Sequence, residues 1–253
     1  MKITTVKMVT RAVCTCSLMF TSLWLAAQPA ASRQHILVDV SHGQIFWFDP
    51  AVPTDKKADQ VERIKYLNGE LVKNATALNA DVSYTKGKFT PATLSKTDVL
   101  FIHIPSAQYD ADEVKAIQQY VQKGGALLLV MDADYWSTLE QANVNDILRP
   151  YNIQFGKDSP IEQSGGRAKA SAVVSKDLSI PYHGARQLTG GTPFCYSIQS
   201  EEYPFASFTT VKNGGKIIAM GEGMVSLYMT SWEGVNNYQC SEFMGDAFRW
   251  LLK

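Results

Sequence analysis

Asp39, Ser41, His42, Gly43 and Gln44 follow directly on the short apolar run Ile36-Leu37-Val38. An imidazole close to a carboxylate and a hydroxyl is the material of a hydrolase: a base, an acid to orient it, and a group to be activated. Strand alternation puts Asp39 and Ser41 on one face and sends His42 elsewhere, unless the turn rotates it. The competing reading is that Asp39 and His42 bond backbone groups of the loop after the strand.

Two further clusters have the right residue types. Asp132 and Asp134 sit at the end of another apolar run, with side chains on one side, where they could hold a divalent cation or act as paired carboxylates. Asp is also a preferred helix N-cap, which would explain them without a ligand. Glu222 lies between Gly221 and Gly223, and Tyr228, Trp232 and Glu233 follow. Glycines let a ligand approach the backbone, and exposed aromatics stack on the apolar faces of sugars. Trp47, Trp136 and Trp232 all fall beyond apolar runs, so the candidate ligand set is Ser41, His42, Gln44, Trp47, Asp132, Asp134, Trp136, Glu222 and Trp232. His103 lies inside an apolar run and reads as a core histidine, and His183 reads as a loop residue. No CxxC or HExxH spacing exists, so neither a metal nor a cofactor is expected.

The elements that must position these groups are legible in the apolar spacing. After the opening strand, the Pro-rich stretch from Asp49 to Asp55 precedes Val61, Ile64, Leu67, Leu71 and Leu78, whose spacing predicts a helix over 56–79. A short strand is expected at Asp81–Tyr84. The nearly unbroken apolar runs at 99–104 and 126–131 predict strands buried on both faces. Between them, Asp110 or Asp112 opens a helix through Val114, Ile117, Tyr120 and Val121, stopped by Gly124-Gly125. A helix is expected from Thr138 to Arg149. Residues 157–205 read as irregular, with a strand candidate at Ala170–Val174. Asn213-Gly214 between apolar runs predicts a hairpin of 206–211 with 216–220, and a final helix is expected over 242–252. Strand and helix alternate, which is the pattern of an α/β fold: a mostly parallel central sheet with helices on both faces, plus a late antiparallel hairpin. Right-handed crossovers would line up His42, Ile104–Ser106 and Asp132–Asp134 along one edge of that sheet.

The 253 residues, 45% hydrophobic and 19% charged, carry no block of Lys or Arg, and formal net charge is zero. Nucleic acid is therefore not an expected partner. Lys2, Lys7 and Arg11 precede an apolar core from Ala12 to Ala27, and small residues follow. That order is a secretory signal peptide, too short for the about 20 residues of a membrane span. Cleavage is expected between Ala27 and Ser32, most simply after Ala27, leaving 32–253 as a single periplasmic or secreted domain with no transmembrane span after processing. Loss of residues 1–27 removes three basic and no acidic residues, leaving 21 basic against 24 acidic. Only Cys195 and Cys240 remain, and two cysteines in an oxidising compartment are expected to pair as a disulfide.

The order of elements resembles the class I glutamine-amidotransferase-like (flavodoxin-like) fold, in an exported branch of uncharacterised bacterial domains without amidotransferase activity. The resemblance rests on Val38–Gln44, Val99–His103, Gln118–Val130, Asp146–Ile153 and Gly215–Gly221, and covers about residues 35–253. Amidotransferases of this fold carry a cysteine on a tight strand-to-helix elbow. Here the corresponding stretch is Met131-Asp132-Ala133-Asp134-Tyr135-Trp136, with no cysteine. A thiolate is the nucleophile that glutamine hydrolysis needs, so that activity is not expected.

The sequence thus leads to an exported, non-catalytic ligand-binding or accessory domain, with a glycan or small molecule as its ligand. The alternative is a periplasmic hydrolase acting on a saccharide through His42, Asp39 and Glu222. A protein-interaction scaffold is the third reading, and nothing in the sequence sets an oligomeric state.

Overall fold

The runs at 36–38, 99–103 and 126–130 are apolar at every position but one because the sheet they form is covered on both faces. In the computed structural model, which describes residues 32–227 and 237–252, β1 (Gln34–Val38), β3 (Val99–His103) and β4 (Ala126–Val130) lie side by side and parallel. The expected signal peptide, and Tyr228, Trp232 and Glu233, lie outside the described residues. From Arg33 onward the described residues belong to one unit.

Alternate residues of each strand feed two separate cores. Ile36, Val38, Phe101, Leu128 and Val130 share a core with Leu67, Leu71 and Ala75 of α1 (Ala58–Ala77), Val225 and Leu227 of α4 (Met224–Leu227), and Phe243, Ala247 and Phe248 of α5 (Cys240–Leu252). Leu37, Leu100, Ile102, Leu127 and Leu129 meet Ile117 and Val121 of α2 (Ala111–Gln122) and Ile147 and Leu148 of α3 (Val144–Leu148) on the other face. Each such side chain, removed from water, contributes about 1.5–3 kcal/mol. Period-2 alternation with both phases apolar is what a doubly covered parallel strand requires.

Local sequence sets the helix ends. The Asp110 carboxylate caps α2 by accepting from the Asp112 and Glu113 N–H groups (3.0 and 2.9 Å), and the Glu113 side chain accepts the Asp110 N–H (3.1 Å). This is a capping box. Gly124, at φ +105°, takes the left-handed turn that ends α2.

The sheet is larger and more mixed than expected. Its nine strands run in the order β2-β1-β3-β4-β11-β10-β9-β6-β7, with β2 at Ala80–Tyr84, β6 at Ser164–Ala168, β7 at Leu178–Tyr182, β9 at Thr192–Ser197, β10 at Ala206–Thr210 and β11 at Lys216–Met220. From β2 to β11 the pairings are parallel, and from β11 to β7 they are antiparallel. The predicted hairpin forms as β10 and β11, and its second strand joins β4 in parallel, extending the core. A separate two-stranded antiparallel sheet pairs β5 (Gln154–Asp158) with β8 (Arg186–Thr189).

Three expectations are corrected. Residues 157–205 hold strands β6 to β9 rather than irregular chain, and Ala170–Val174 is a turn closed by the Ser171 N–H on the Val174 carbonyl (2.8 Å). The helix expected from Thr138 is confined to Val144–Leu148: Asn143 before it has non-helical backbone, and its side chain bonds both backbone groups of Tyr109. The Cys195–Cys240 disulfide does not form: both cysteines are free and fully buried in the core shared with α1 and α5. There they pack as small apolar side chains, and burial pushes both thiols up. Among the described residues no helix is long and apolar enough to cross a membrane.

Candidate functional site

The parallel strands β1, β3, β4 and β11 end along one edge, and the polar residues singled out above gather there. Each strand hands its chain to a loop that is pinned to the next one. The His42 carbonyl accepts the Ser106 N–H (2.9 Å), the Ser106 hydroxyl bonds the Gly43 carbonyl (2.7 Å), and the Ser137 hydroxyl bonds the Pro105 carbonyl (2.5 Å). Ile104, directly after β3, holds φ at +44°. For a β-branched residue that is strained backbone, costing on the order of 1–3 kcal/mol.

After β1 the loop does rotate His42 back over Asp39. Gly43, at φ +68°, permits the turn. The His42 ring then lies between two buried carboxylates: Nδ1 is 3.0 and 3.1 Å from the Asp39 oxygens, and Nε2 is 3.2 Å from Glu113 Oε1. A carboxylate oxygen only accepts, so both contacts are satisfied when both ring nitrogens carry protons. Burial is the largest influence on His42 and pulls its pKa down. The hydrogen bonds and charges of Asp39 and Glu113 together outweigh it and hold the group above its ordinary 6.5. Asp39 is itself saturated, accepting the Ser41 N–H (2.9 Å), the Gln44 amide (2.7 Å) and the Tyr109 hydroxyl (2.7 Å). Glu113 Oε1 accepts the Phe89 N–H as well (2.9 Å). The ring is stacked between Tyr109 (centroids 4.0 Å) and Phe89 (5.5 Å). Burial first, and the Asp39 charge second, push the Tyr109 hydroxyl well above its usual range.

This arrangement is an ionic lock. When both ring N–H groups are donated to these carboxylates, the imidazolium has no lone pair with which to take a proton from a substrate. Glu113, which closes the α2 capping box, is simultaneously the second counter-charge of His42. The sequence offered a hint in the capping-box spacing, but none of its pairing with a residue so far back in the chain. Ser41 is exposed and bonds Thr85 (2.7 Å), whereas Gln44 is buried within the lock.

Asp132 and Glu222 form a second buried cluster, at the ends of β4 and β11. Asp132 accepts the Ala133 N–H (2.7 Å) and the Gly223 N–H (2.8 Å). Glu222 accepts the His183 N–H (2.5 Å) and the Met224 N–H (3.0 Å). Burial, and then the neighbouring Glu222 charge, push the Asp132 carboxyl well above the usual carboxylate range. Glu222 is fully buried. His103 lies beneath, its Nε2 donating to the Gly223 carbonyl (3.2 Å), and burial lowers its pKa to about 4, leaving the ring neutral.

Asp134 parts from Asp132. Its carboxylate lies half in solvent, 2.5 Å from Nη2 of Arg186. Arg186 is 1% exposed and was not foreseen, because an arginine in a short strand carries no local sign of burial. Its Nε donates to the Asp132 carbonyl (3.1 Å), Nη1 to the Gly156 carbonyl (3.1 Å) and Nη2 also to the Ser137 carbonyl (3.0 Å), while Asp158 stands 3.7 Å away. Trp47 is buried, edge-on to Phe101 and His103, and presents no face to solvent. Trp136 is half-buried, between Phe46 (5.0 Å) and Tyr135 (4.8 Å). Among the described residues no group of His, Cys, Asp and Glu side chains is arranged to hold a metal ion. A cavity of 520 Å³ opens at the opposite end of the strands, lined by Gln34, Asp98, Gly125 and Lys216, away from both clusters.

With this geometry established, comparison with known proteins places the fold. A family profile described as the IFT52 GIFT domain matches residues 59–164. No curated protein matches the sequence. Among solved structures, the N-terminal domain of mmIFT52 superposes with a TM-score of 0.61 at 17% identity, over 86% of this chain and 97% of that one. A ThuA-like protein from Bacteroides uniformis gives 0.51 at 13%, over 89% and 94%. The β-galactosidase of Rahnella sp. R3 gives 0.51 at 11%, over 87% of this chain but 30% of its own. At these identities the likeness establishes the fold and nothing finer: the chain has the class I glutamine-amidotransferase-like α/β fold.

Proposed function

We propose that the chain is an exported, non-catalytic ligand-binding or accessory domain that takes carbohydrate. The observation that carries the non-catalytic reading is the state of His42. His42, beside a carboxylate and a hydroxyl at the end of β1, has both ring nitrogens within hydrogen-bond distance of buried carboxylates. The position where an amidotransferase would carry its thiolate is Met131-Asp132-Ala133, and Glu222 is buried with both oxygens on backbone N–H groups. A saccharide is suggested by the β-galactosidase that contains this fold as 30% of its length, a setting in which such a domain accompanies a glycosidase. Export rests on the charged, apolar and small-residue order of the first residues.

The test combines three readouts on protein expressed from the full chain. N-terminal sequencing of secreted material should begin between residues 28 and 32. A glycan array should show retained binding. Chromogenic glycosides should show no turnover; turnover abolished by Glu222→Gln would overturn this reading in favour of the hydrolase.

A further inference from the structure

Past the end of β4 the chain makes a tight turn whose most exposed residue is Tyr135, 84% accessible. Its ring is not isolated. Tyr135 meets Trp136 edge to face (4.8 Å, 83°), Trp136 meets Phe46 (5.0 Å, 69°), and Phe46 meets His103 (6.0 Å, 84°). An aromatic column therefore runs from the core of the sheet to the solvent and ends in an open tyrosine face.

The turn that carries this ring is held on all sides. Arg186 grips it at the Asp132 carbonyl, the Asp134 carboxylate and the Ser137 carbonyl; Ser137 is tied to Pro105, and the Trp136 N–H returns to the Ala133 carbonyl (2.9 Å). A buried arginine fixes the backbone of the turn, so the turn itself needs no ordering when a ligand meets the exposed ring. Beside it stand two partly exposed carboxylates. Asp134 is neutralised on one oxygen by Arg186, and Asp158 accepts the Asp134 N–H (3.1 Å to each oxygen). Both carboxylates are partly exposed, so each keeps acceptor capacity open to solvent.

We infer that Tyr135, backed by Trp136 and flanked by Asp134 and Asp158, is a stacking platform for a pyranose ring of a neutral saccharide. The chemistry selects that ligand. A flat apolar face matches the C–H face of a sugar. An acceptor-only rim matches a ligand whose edges are hydroxyl donors, and disfavours anions. The patch is a single turn, far short of the about 800 Å² per partner that a stable protein interface buries. This inference rests on the carbohydrate reading above and gives it an address on the molecule.

The test is calorimetric titration of cellohexaose, mannohexaose and galactohexaose into the exported protein, its Tyr135→Ala variant and its Tyr135→Phe variant. Tyr135 is so exposed that neither substitution should move the melting midpoint. Binding that falls at least about tenfold in Tyr135→Ala and stays within about threefold in Tyr135→Phe supports the platform, since phenylalanine keeps the stacking face. Equal binding by wild type and Tyr135→Ala overturns the platform and leaves the carbohydrate reading standing. No binding of any of the three by wild type overturns both.

Discussion

Replacing His42 by alanine should destabilise the protein by about 3–5 kcal/mol, the usual cost of stranding buried charge by removing its partner. Two carboxylates, Asp39 and Glu113, would remain buried with no cation between them, and two charge-assisted hydrogen bonds would be lost. The stacked contacts with Tyr109 and Phe89 disappear as well, at about 0.5–1.5 kcal/mol for such pairs. Against a total domain stability of about 5–15 kcal/mol the loss is large but measurable. Urea unfolding from about pH 6 to about pH 9 tests both size and cause. The folded pKa of His42 lies above its ordinary 6.5, so its contribution is fully present below 6.5 and is lost as pH rises through the folded value. The gap between wild type and His42→Ala should accordingly be widest near pH 6 and shrink on the alkaline side. A gap below about 1 kcal/mol at pH 6, or one that does not change with pH, would refute the ionic lock.

Arg186→Met should cost about 3–5 kcal/mol in the same assay, because three carbonyls and the Asp134 carboxylate lose their donor; a change within about 0.5 kcal/mol would show that the turn after β4 does not depend on it. In Glu222→Gln the Asp132 carboxyl, followed by carbon-13 NMR, should titrate at lower pH than in wild type, since the Glu222 charge is the second cause of its raised value. An unmoved titration would mean that burial alone sets it. Denatured, unreduced protein should yield the Cys195 and Cys240 thiols to Ellman's reagent, and native protein should withhold both, given their burial. Absence of those thiols after denaturation would show that a disulfide had formed.

Much of the parallel half was written in local sequence. The twin-phase apolar runs of β3 and β4 read as strands covered on both faces, Asp110 or Asp112 marked the start of α2, Gly124-Gly125 its end, and Asn213-Gly214 the β10–β11 hairpin. These signals arise from neighbours in the chain, whose spacing the backbone fixes. The alignment of the β1, β3 and β4 ends followed from crossover handedness. The antiparallel half was not legible: β6 carries Gly165 and Gly166, β7 carries Pro181, and β9 carries Pro193, so each reads as loop until a partner strand supplies its hydrogen bonds.

What the polar strand ends do was decided by tertiary structure alone. The opening stretch showed Asp39 beside His42, but the lock needed Glu113, 71 residues on, and Tyr109, 70 residues from Asp39. Arg186 reaches back 52 residues to Asp134. Sequence spacing fixes which groups share a helix face or a strand phase. It does not fix which charges meet once strands pair across the sheet, and that meeting set the His42 ring between two buried carboxylates.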